Sequence, residues 1–235
     1  MLIDMHAHTS GISRCCRADA AEVLRTARSA GIDGLVLCNH YQEVYVTNGD
    51  AAALAEAYIA EYLHAKQLAD EMDFPLFFGA EVTAKLHGNA HILLYGIQPE
   101  LLREHPEIYG YPLEKMYALV HEQGGLVVQA HPFRGGGQVL DPHWLDGLEI
   151  NCHPLYDATH CDRLLDIAAS EQLLVTCGGD YHADTYRAVC GTHFPDDARD
   201  CAALAEYLKN TREIRLHVHE LRQEEHHDVV FTKNV

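Results

Sequence analysis

Short apolar runs alternate with longer stretches of helical periodicity along most of the chain. The first run, Ile3 to Thr9, interleaves Ile3, Met5 and Ala7 with Asp4, His6 and His8. A period of two places one set on each face of a strand, so Asp4, His6 and His8 are expected to share a face as ligands, or supports, of a metal. Asp19-Ala20-Ala21-Glu22 opens a helical pattern with capping-box spacing that runs to Ala30, and Gly31 stops it. Gly34 to Cys38 then reads as a buried strand delivering Asn39 and His40, completing a βαβ unit with a parallel strand pair. Residues 50 to 72 form the longest helical pattern. Pro75 ends it, and Leu76 to Ala80 is a strand carrying Glu81 at its far end. The turn signal His87-Gly88-Asn89 before the strand Ile92 to Ile97 predicts a hairpin that folds His91 back towards Glu81. A helix over 112 to 123 precedes the strand Leu126 to Ala130, which ends in His131-Pro132. Gly147 to Ile150 is another short strand, 158 to 170 a helix, and Leu173 to Cys177 a strand leading into Gly178-Gly179-Asp180-Tyr181-His182. A helix over 198 to 209, a β-like stretch to Val218 and a polar, partly disordered tail from Arg222 complete the reading.

Alternating strands and helices with acidic and histidine side chains at strand ends are the layout of an α/β protein of (β/α)-barrel type, whose site forms at the C-terminal mouth. The length of 235 residues and 48% hydrophobic content suit one domain of this kind. A formal net charge of −18 argues against nucleic acid and anionic membrane as partners. It leaves a phosphorylated small molecule open, because bound cations reverse the sign of a site locally. No run approaches the roughly 18 apolar residues that span a bilayer. The chain starts with Asp and two His instead of a basic segment and an apolar run, so a cytoplasmic protein is expected. The eight cysteines show no Cys-x-x-Cys pair and read as reduced thiols. Gly135-Gly136-Gly137 reads as a mobile loop and not a phosphate-binding loop, since no Gly-Lys-Ser/Thr follows.

The strand-end positions carry the chemistry. With 18 histidines, one His-x-His is unremarkable, and His217 with His219 forms a second. His6, His8, His40, Glu81, His131, Asp180 and His182 nevertheless stand at five separate strand ends, with His91 within reach through the hairpin. Imidazole and carboxylate groups suit Zn, Mn or Fe better than calcium, and there are too many for one tetrahedral ion. Two or three divalent ions are expected. His105-Pro106, His153-Pro154, His217, His219 and His226-His227 read as loop or solvated residues.

The ordered set Asp-x-His-x-His-Thr, Asn39-His40, Gly79-Ala80-Glu81, His91 before Ile-Leu-Leu-Tyr-Gly, Ala130-His131-Pro132 and Gly179-Asp180-Tyr181-His182 resembles the PHP (polymerase and histidinol phosphatase) family over roughly residues 1 to 195. The resemblance implies a distorted seven-stranded (β/α) TIM-like barrel with a trinuclear metal site. It implies that His6, His8, Glu81 and Asp180 hold one ion, that Glu81 bridges to a second bound by His91 and His131, and that His40 with His182 holds a third. Glu149 is marked as supporting structure. Two departures stand out. Asn39 replaces the family's usual Asp, and Ser13-Arg14-Cys15 resembles a Ser-x-Cys variant, making Cys15 the expected ligand of the third ion with Cys16 as its competitor. The implied activity is hydrolysis of a small phosphomonoester, of nucleotide, sugar phosphate or histidinol phosphate type, by a metal-activated water. Arg134 is the best-placed cation for the phosphate, ahead of Arg14 and Arg187. His193, His153 or metal-bound water would protonate the leaving group. A nuclease or phosphodiesterase, an amidohydrolase-type C–N hydrolase and a non-catalytic metal domain are the competing readings. Substrate identity falls to the loops 41 to 50, 98 to 112, 133 to 146 and 183 to 198, and oligomeric state leaves no trace in the sequence.

Overall fold

The computed structural model describes residues 1–153, 159–182, 189–220 and 226–233. In chain order its strands are β1 (Leu2–Ala7), β2 (Gly34–Leu37), β3 (His40–Tyr41), β4 (Leu76–Phe78), β5 (Ala80–Ala84), β6 (Ala90–Tyr95), β7 (Leu126–Gln129), β8 (Gly147–Asn151), β9 (Leu174–Gly178), β10 (Gly191–His193), β11 (Glu213–His219) and β12 (His226–Thr232). The helices are α1 (Ala20–Ser29), α2 (Ala51–Glu71), α3 (Glu100–Glu104), α4 (Leu113–Glu122), α5 (Cys161–Glu171) and α6 (Cys201–Asn210). Asp19, Asp50 and Asp200 cap α1, α2 and α6 by accepting from the amides of Glu22, Ala53 and Ala203 at 2.8, 2.9 and 2.8 Å. The capping box expected at Asp19 is thus formed on its N-cap side.

Hydrogen bonding divides the strands into two mixed six-stranded sheets, in the orders β12-β11-β10-β1-β2-β4 and β3-β5-β6-β7-β8-β9. The closed seven-stranded barrel ladder expected from the sequence is not formed. The parallel pairing of β2 with β4 runs to Leu37 opposite Phe78 and continues in the same register as β3 with β5 at His40 opposite Glu81, the Gly79 and Glu81 amides donating to Leu37 O and Asn39 O at 3.2 and 3.0 Å across the irregular interval. Gly79 lies in this interval. A Cβ there would meet Cys38 Sγ at 2.7 Å and Val36 Cγ1 at 2.8 Å, so the close approach needs glycine. The buried Tyr58 hydroxyl bridges both edges there, reaching the carbonyls of Asn39 and Gly79 at 2.9 and 2.8 Å. On the opposite side, β1 spends its free edge on antiparallel β10. Its backbone pairing towards β9 is limited to the His8 amide donating to Tyr181 O at 3.2 Å beyond the strand ends.

The predicted hairpin is present, with Glu81 opposite Leu93 and Thr83 opposite His91. The strands β3, β10 and β12 were not predicted. β10 has only three residues, and β12 pairs with β11 in the segment expected to be a polar tail. The main core lies between the sheets and α2, α4, α5 and α6, with Met5, Phe77, Phe78, Leu93 and Val128 fully enclosed. Each such side chain contributes roughly 1.5–3 kcal/mol of transfer free energy. Their strands converge, and the polar residues at the strand ends converge with them. No helix of the described residues is long and apolar enough to cross a membrane.

Candidate metal centre

The C-terminal ends of β1, β2, β4, β7, β8 and β9, with the following residues, bring the predicted groups into one buried cluster. Ligand atoms of His6, His8 and Glu81 lie within 4.8 Å of one another, as do those of His40, Glu81 and His91, and those of His8, His40 and His182. Glu81 is the hub. Its Oε1 lies 2.7 Å from His91 Nδ1, 3.1 Å from His131 Nε2 and 3.5 Å from His6 Nε2, and its Oε2 lies 2.5 Å from His40 Nδ1 and 3.6 Å from His8 Nε2. The His40–Glu81 contact lacks hydrogen-bond geometry, and both atoms are buried without a hydrogen-bond partner. Asp180 Oδ1 completes the other side at 3.0 Å from His8 Nε2 and 3.6 Å from His6 Nε2.

Outer hydrogen bonds fix which nitrogen of each ring faces inward. His6 Nδ1 lies 2.7 Å from Glu149 Oε1, an acceptor, so the proton is on Nδ1 and the Nε2 lone pair points at the centre. His8 Nδ1 lies 3.0 Å from Ser13 Oγ. The single Ser13 proton goes to Asn39 Oδ1 at 2.8 Å, whose orientation is set by the Thr9 amide donating to the same oxygen at 2.8 Å. Ser13 therefore accepts from His8, and His8 Nε2 is left unprotonated. His182 Nδ1 donates to Asp180 O at 2.8 Å, which turns its Nε2 towards His40. Neutral His6 and His8 rings would thus set two bare nitrogens, His6 Nε2 and His8 Nε2, against each other at 3.0 Å, and His182 Nε2 lies 3.4 Å from His40 Nε2. Lone pairs so opposed repel unless a cation or proton sits between them. The donor set of imidazoles and carboxylates fits divalent ions of the Zn, Mn or Fe class.

In the metal-free protein the rings carry that positive charge themselves. Burial alone would lower His6 and His40, but Glu149, Asp180 and Glu81 raise His6, and Glu81 raises His40, well above the ordinary histidine value. His8, pressed by burial and by His182 and His40, is held well below it. Burial would raise Glu81 and Asp180, yet the surrounding histidines hold both well below the ordinary carboxylate range.

Cys15, and not Cys16, faces the third corner. Burial pushes its thiol up, but hydrogen bonds with His182 and His40 outweigh this and bring it down to about 6. The Cys16 thiol is turned away, donating to His8 O and Ala18 O at 3.5 and 3.6 Å, and burial raises it to about 11. Asn39 performs by its Oδ1 the acceptor role that a carboxylate would perform, so the Asn-for-Asp departure leaves the Ser13–His8 relay intact. His131 and Asp180 hold positive φ angles of +29° and +51°, unfavourable for residues with a Cβ. The Glu149 Oε2 atom accepts from the His131 amide at 3.1 Å and helps to hold that turn.

Several expectations are narrowed or corrected. Asp4, expected as a ligand or a support on the face of His6 and His8, stands as a support. Its Oδ1 accepts from the amides of His6 and Gly179 at 3.0 and 2.8 Å, tying β1 to the end of β9, and burial raises it to about 7. His193 lies opposite Leu2, at the far end of β1 from the cluster, and drops out as a proton donor. His153, read as a loop residue, is buried with its ligand atom within 4.8 Å of those of Asp180 and His182. Its signal was present: Glu149-x-Asn151-x-His153 at the end of β8 repeats the alternation of Asp4-x-His6-x-His8. Arg134 sits in a 3-10 turn (Arg134–Gly136), three-quarters buried, with Nη1 2.9 Å from Asp180 Oδ2. Arg14 is exposed, its guanidinium 4.6 Å above the Tyr45 ring, and Arg187 lies outside the described residues. A cleft of about 490 Å³ opens beside the cluster, walled by His91, His131, Arg134, Gln129 and the Gly135–Gly137 backbone.

No family model matches the sequence, and no curated protein matches it in sequence. Solved structures do match in fold. A two-domain protein from Bacteroides vulgatus containing a predicted PHP-like metal-dependent phosphoesterase superposes with a TM-score of 0.68 and 15% identity, over 93% of this chain and 65% of that one. A protein from Bifidobacterium adolescentis described as a candidate metal-dependent phosphoesterase gives 0.58 and 19%, over 88% and 95%. The lesion-specific endonuclease EndoQ from Pyrococcus furiosus gives 0.61 and 14%, over 94% and 59%. The mixed α/β fold is therefore one shared with PHP-like metal-dependent phosphoesterases.

Proposed function

We propose that the chain is a metal-dependent hydrolase that releases phosphate from a small phosphomonoester at this cluster. The observation that carries the reading is the opposition of imidazole nitrogens around Glu81 and Asp180, an arrangement that holds together only with a proton or a cation between the rings at more than one point, and where a divalent ion can replace the protons. In the proposed assignment His6, His8, Glu81 and Asp180 hold one ion, Glu81 with His91 and His131 a second, and His40, His182 and Cys15 a third. Zn, Mn and Fe all suit these donors. Such ions supply a water ionised near neutral pH and polarise phosphoryl oxygens.

The protein's own part is positioning and charge. Arg134 stands where the cluster meets the cleft and offers a planar fork of donors to phosphate oxygens while one nitrogen stays on Asp180. A cleft of about 490 Å³ is of the size that takes a small molecule. The net charge of −18 opposes a long polyanion, so a monoester is preferred to a nucleic-acid strand despite the fold shared with an endonuclease. All eight cysteines are free, which fits a reducing cytoplasmic setting.

The test is phosphate release from a panel of nucleotides, sugar phosphates and histidinol phosphate with Mn or Zn supplied, alongside an oligonucleotide. Metal-dependent release from a monoester, abolished in His6→Ala and Asp180→Ala, is expected. Cleavage of the oligonucleotide with no monoester turned over would replace the proposal with a phosphodiesterase, and no release from either would sink phosphoester hydrolysis.

A further inference from the structure

Seven of the eight cysteines are buried, and most are isolated from one another. Cys38 donates to Met5 O, Cys16 to backbone carbonyls, and Cys201 Sγ accepts from the Phe78 amide at 3.0 Å. Three behave differently. Cys152 directly follows β8, Cys177 lies in β9 and Cys190 directly precedes β10, and their sulfurs all lie within 4.8 Å of one another. Cys152 and Cys177 are 3.5 Å apart, and the three residues are 3%, 0% and 0% exposed. The cluster is separate from the centre around Glu81 and plays no part in the proposed hydrolysis.

Cys152 Sγ is the hub of the trio. The His219 amide donates to it at 3.4 Å, and the thiols of Cys177 and Cys190 are both hydrogen-bonded to it. The Cys177 thiol also reaches His217 O on β11 at 3.4 Å. An amide aimed at sulfur is a common support of a thiolate that binds metal. The His219 ring interacts electrostatically with Cys152 and its Nδ1 is buried without a hydrogen-bond partner, which makes that nitrogen the one to complete the trio. Tetrahedral thiolate ligation at ~2.3 Å places sulfurs ~3.8 Å apart, so the observed spacing needs only small side-chain adjustments. A disulfide would use two of the sulfurs and leave the third, and the His219 donor, unaccounted for.

We propose that Cys152, Cys177 and Cys190, completed by His219 Nδ1, form a second metal site that takes a thiophilic divalent cation of the zinc class. Binding replaces the thiol protons with the cation and releases them to solvent. The ion would pin β8, β9, β10 and the β11 end together behind the centre.

Cadmium is the probe, in a Cys15→Ser background so that the Glu81 cluster offers it only nitrogen and oxygen. The expected result is a thiolate-to-cadmium charge-transfer band of three-sulfur intensity, with a matching three-sulfur shell in X-ray absorption. Neither readout needs a substitution in the core. Cys190→Ala added to this background should lower the sulfur count to two, and His219→Ala should weaken cadmium binding about tenfold or more while leaving three sulfurs. His6→Ala with Asp180→Ala should leave the band unchanged. No thiolate band with cadmium in excess, or a Cys152–Cys177 disulfide in the freshly isolated protein, would overturn the site. Unaltered affinity in His219→Ala would overturn the histidine's part in it.

Discussion

Glu149→Gln is the substitution that separates the tautomer argument from simple ligand counting, because Glu149 faces the cluster only through His6 and the His131 backbone. Its carboxylate serves three donors: His6 Nδ1 on Oε1 at 2.7 Å, and the His131 amide and Asn151 Nδ2 on Oε2 at 3.1 and 3.0 Å. Glutamine keeps the volume but has one acceptor end. Placing its amide nitrogen at the Oε2 position sets a donor against two donors, so the favoured arrangement keeps the carbonyl there and turns the NH₂ towards His6. The His6 ring must then accept at Nδ1 and carry its proton on Nε2, where it blocks the lone pair facing the centre. The lost charged hydrogen bond is worth about 1.5–3 kcal/mol. At about 1.4 kcal/mol per tenfold, metal affinity should fall roughly ten- to hundredfold. Competition with a fluorescent chelator measures this directly, and thermal unfolding of the metal-free variant checks that the buried site remains folded. A folded Glu149→Gln protein with wild-type metal affinity would refute the assignment of His6 Nε2 as an inward-facing ligand.

In the metal-free protein the Cys15 thiolate should form as pH rises through about 6, so alkylation should accelerate through that pH and level off above it. Metal loading should suppress the reaction, and a rise centred near the ordinary thiol value of about 8.5 would refute the His40–His182 environment. Arg134→Ala should lower kcat/KM for a phosphomonoester by about ten- to hundredfold, the loss of one or two charged hydrogen bonds. Metal content by mass spectrometry should be unchanged, and a matching loss of metal would recast Arg134 as a support of Asp180. Asn39→Asp should fold and keep its metal, because only the Nδ2 bond to Thr9 Oγ1 at 2.9 Å is lost and the Thr9 hydroxyl can rotate to donate instead. Loss of metal affinity on titration would show that the amide itself is required.

What the sequence revealed followed from how locally each feature is encoded. The strands and helices around His6, His40, Glu81, His131 and Asp180 announce themselves through apolar runs, caps and glycine stops, all readable within a few residues. The Glu81–His91 approach was legible because a turn signal fixes a hairpin. Cys15 was legible through its motif, but its preference over Cys16 depends on where each sulfur points, which no periodicity encodes. The non-closure of the barrel was hidden for a similar reason. The run Ile3 to Thr9 reads as one more parallel barrel strand, and nothing in it signals that its free edge pairs antiparallel with β10. β10 is too short for a period, and β12 exposes most of its side chains, so its strand character comes from pairing with β11.

His153 and Asp4 show where period-two reasoning holds and where it fails. Both stand two residues from another polar residue at a strand end, and alternation correctly assigns a shared face in each case. A face, however, extends along a strand at about 3.3 Å per residue, whereas a metal centre occupies only its tip. Asp4, two residues before His6, falls under the cluster and meets backbone amides. His153, two residues beyond Asn151, reaches past the strand end to Asp180 and His182. Position along the strand therefore divides residues that face the cluster from residues that brace it. The same rule accounts for Glu149 on β8, which is set back from the tip and acts on the centre only by holding His6 Nδ1 and the His131 turn. Bracing residues of this kind make the metal centre a property of the folded chain, since the tautomers that allow binding are set by contacts between β1, β8, β9 and the turn after β7.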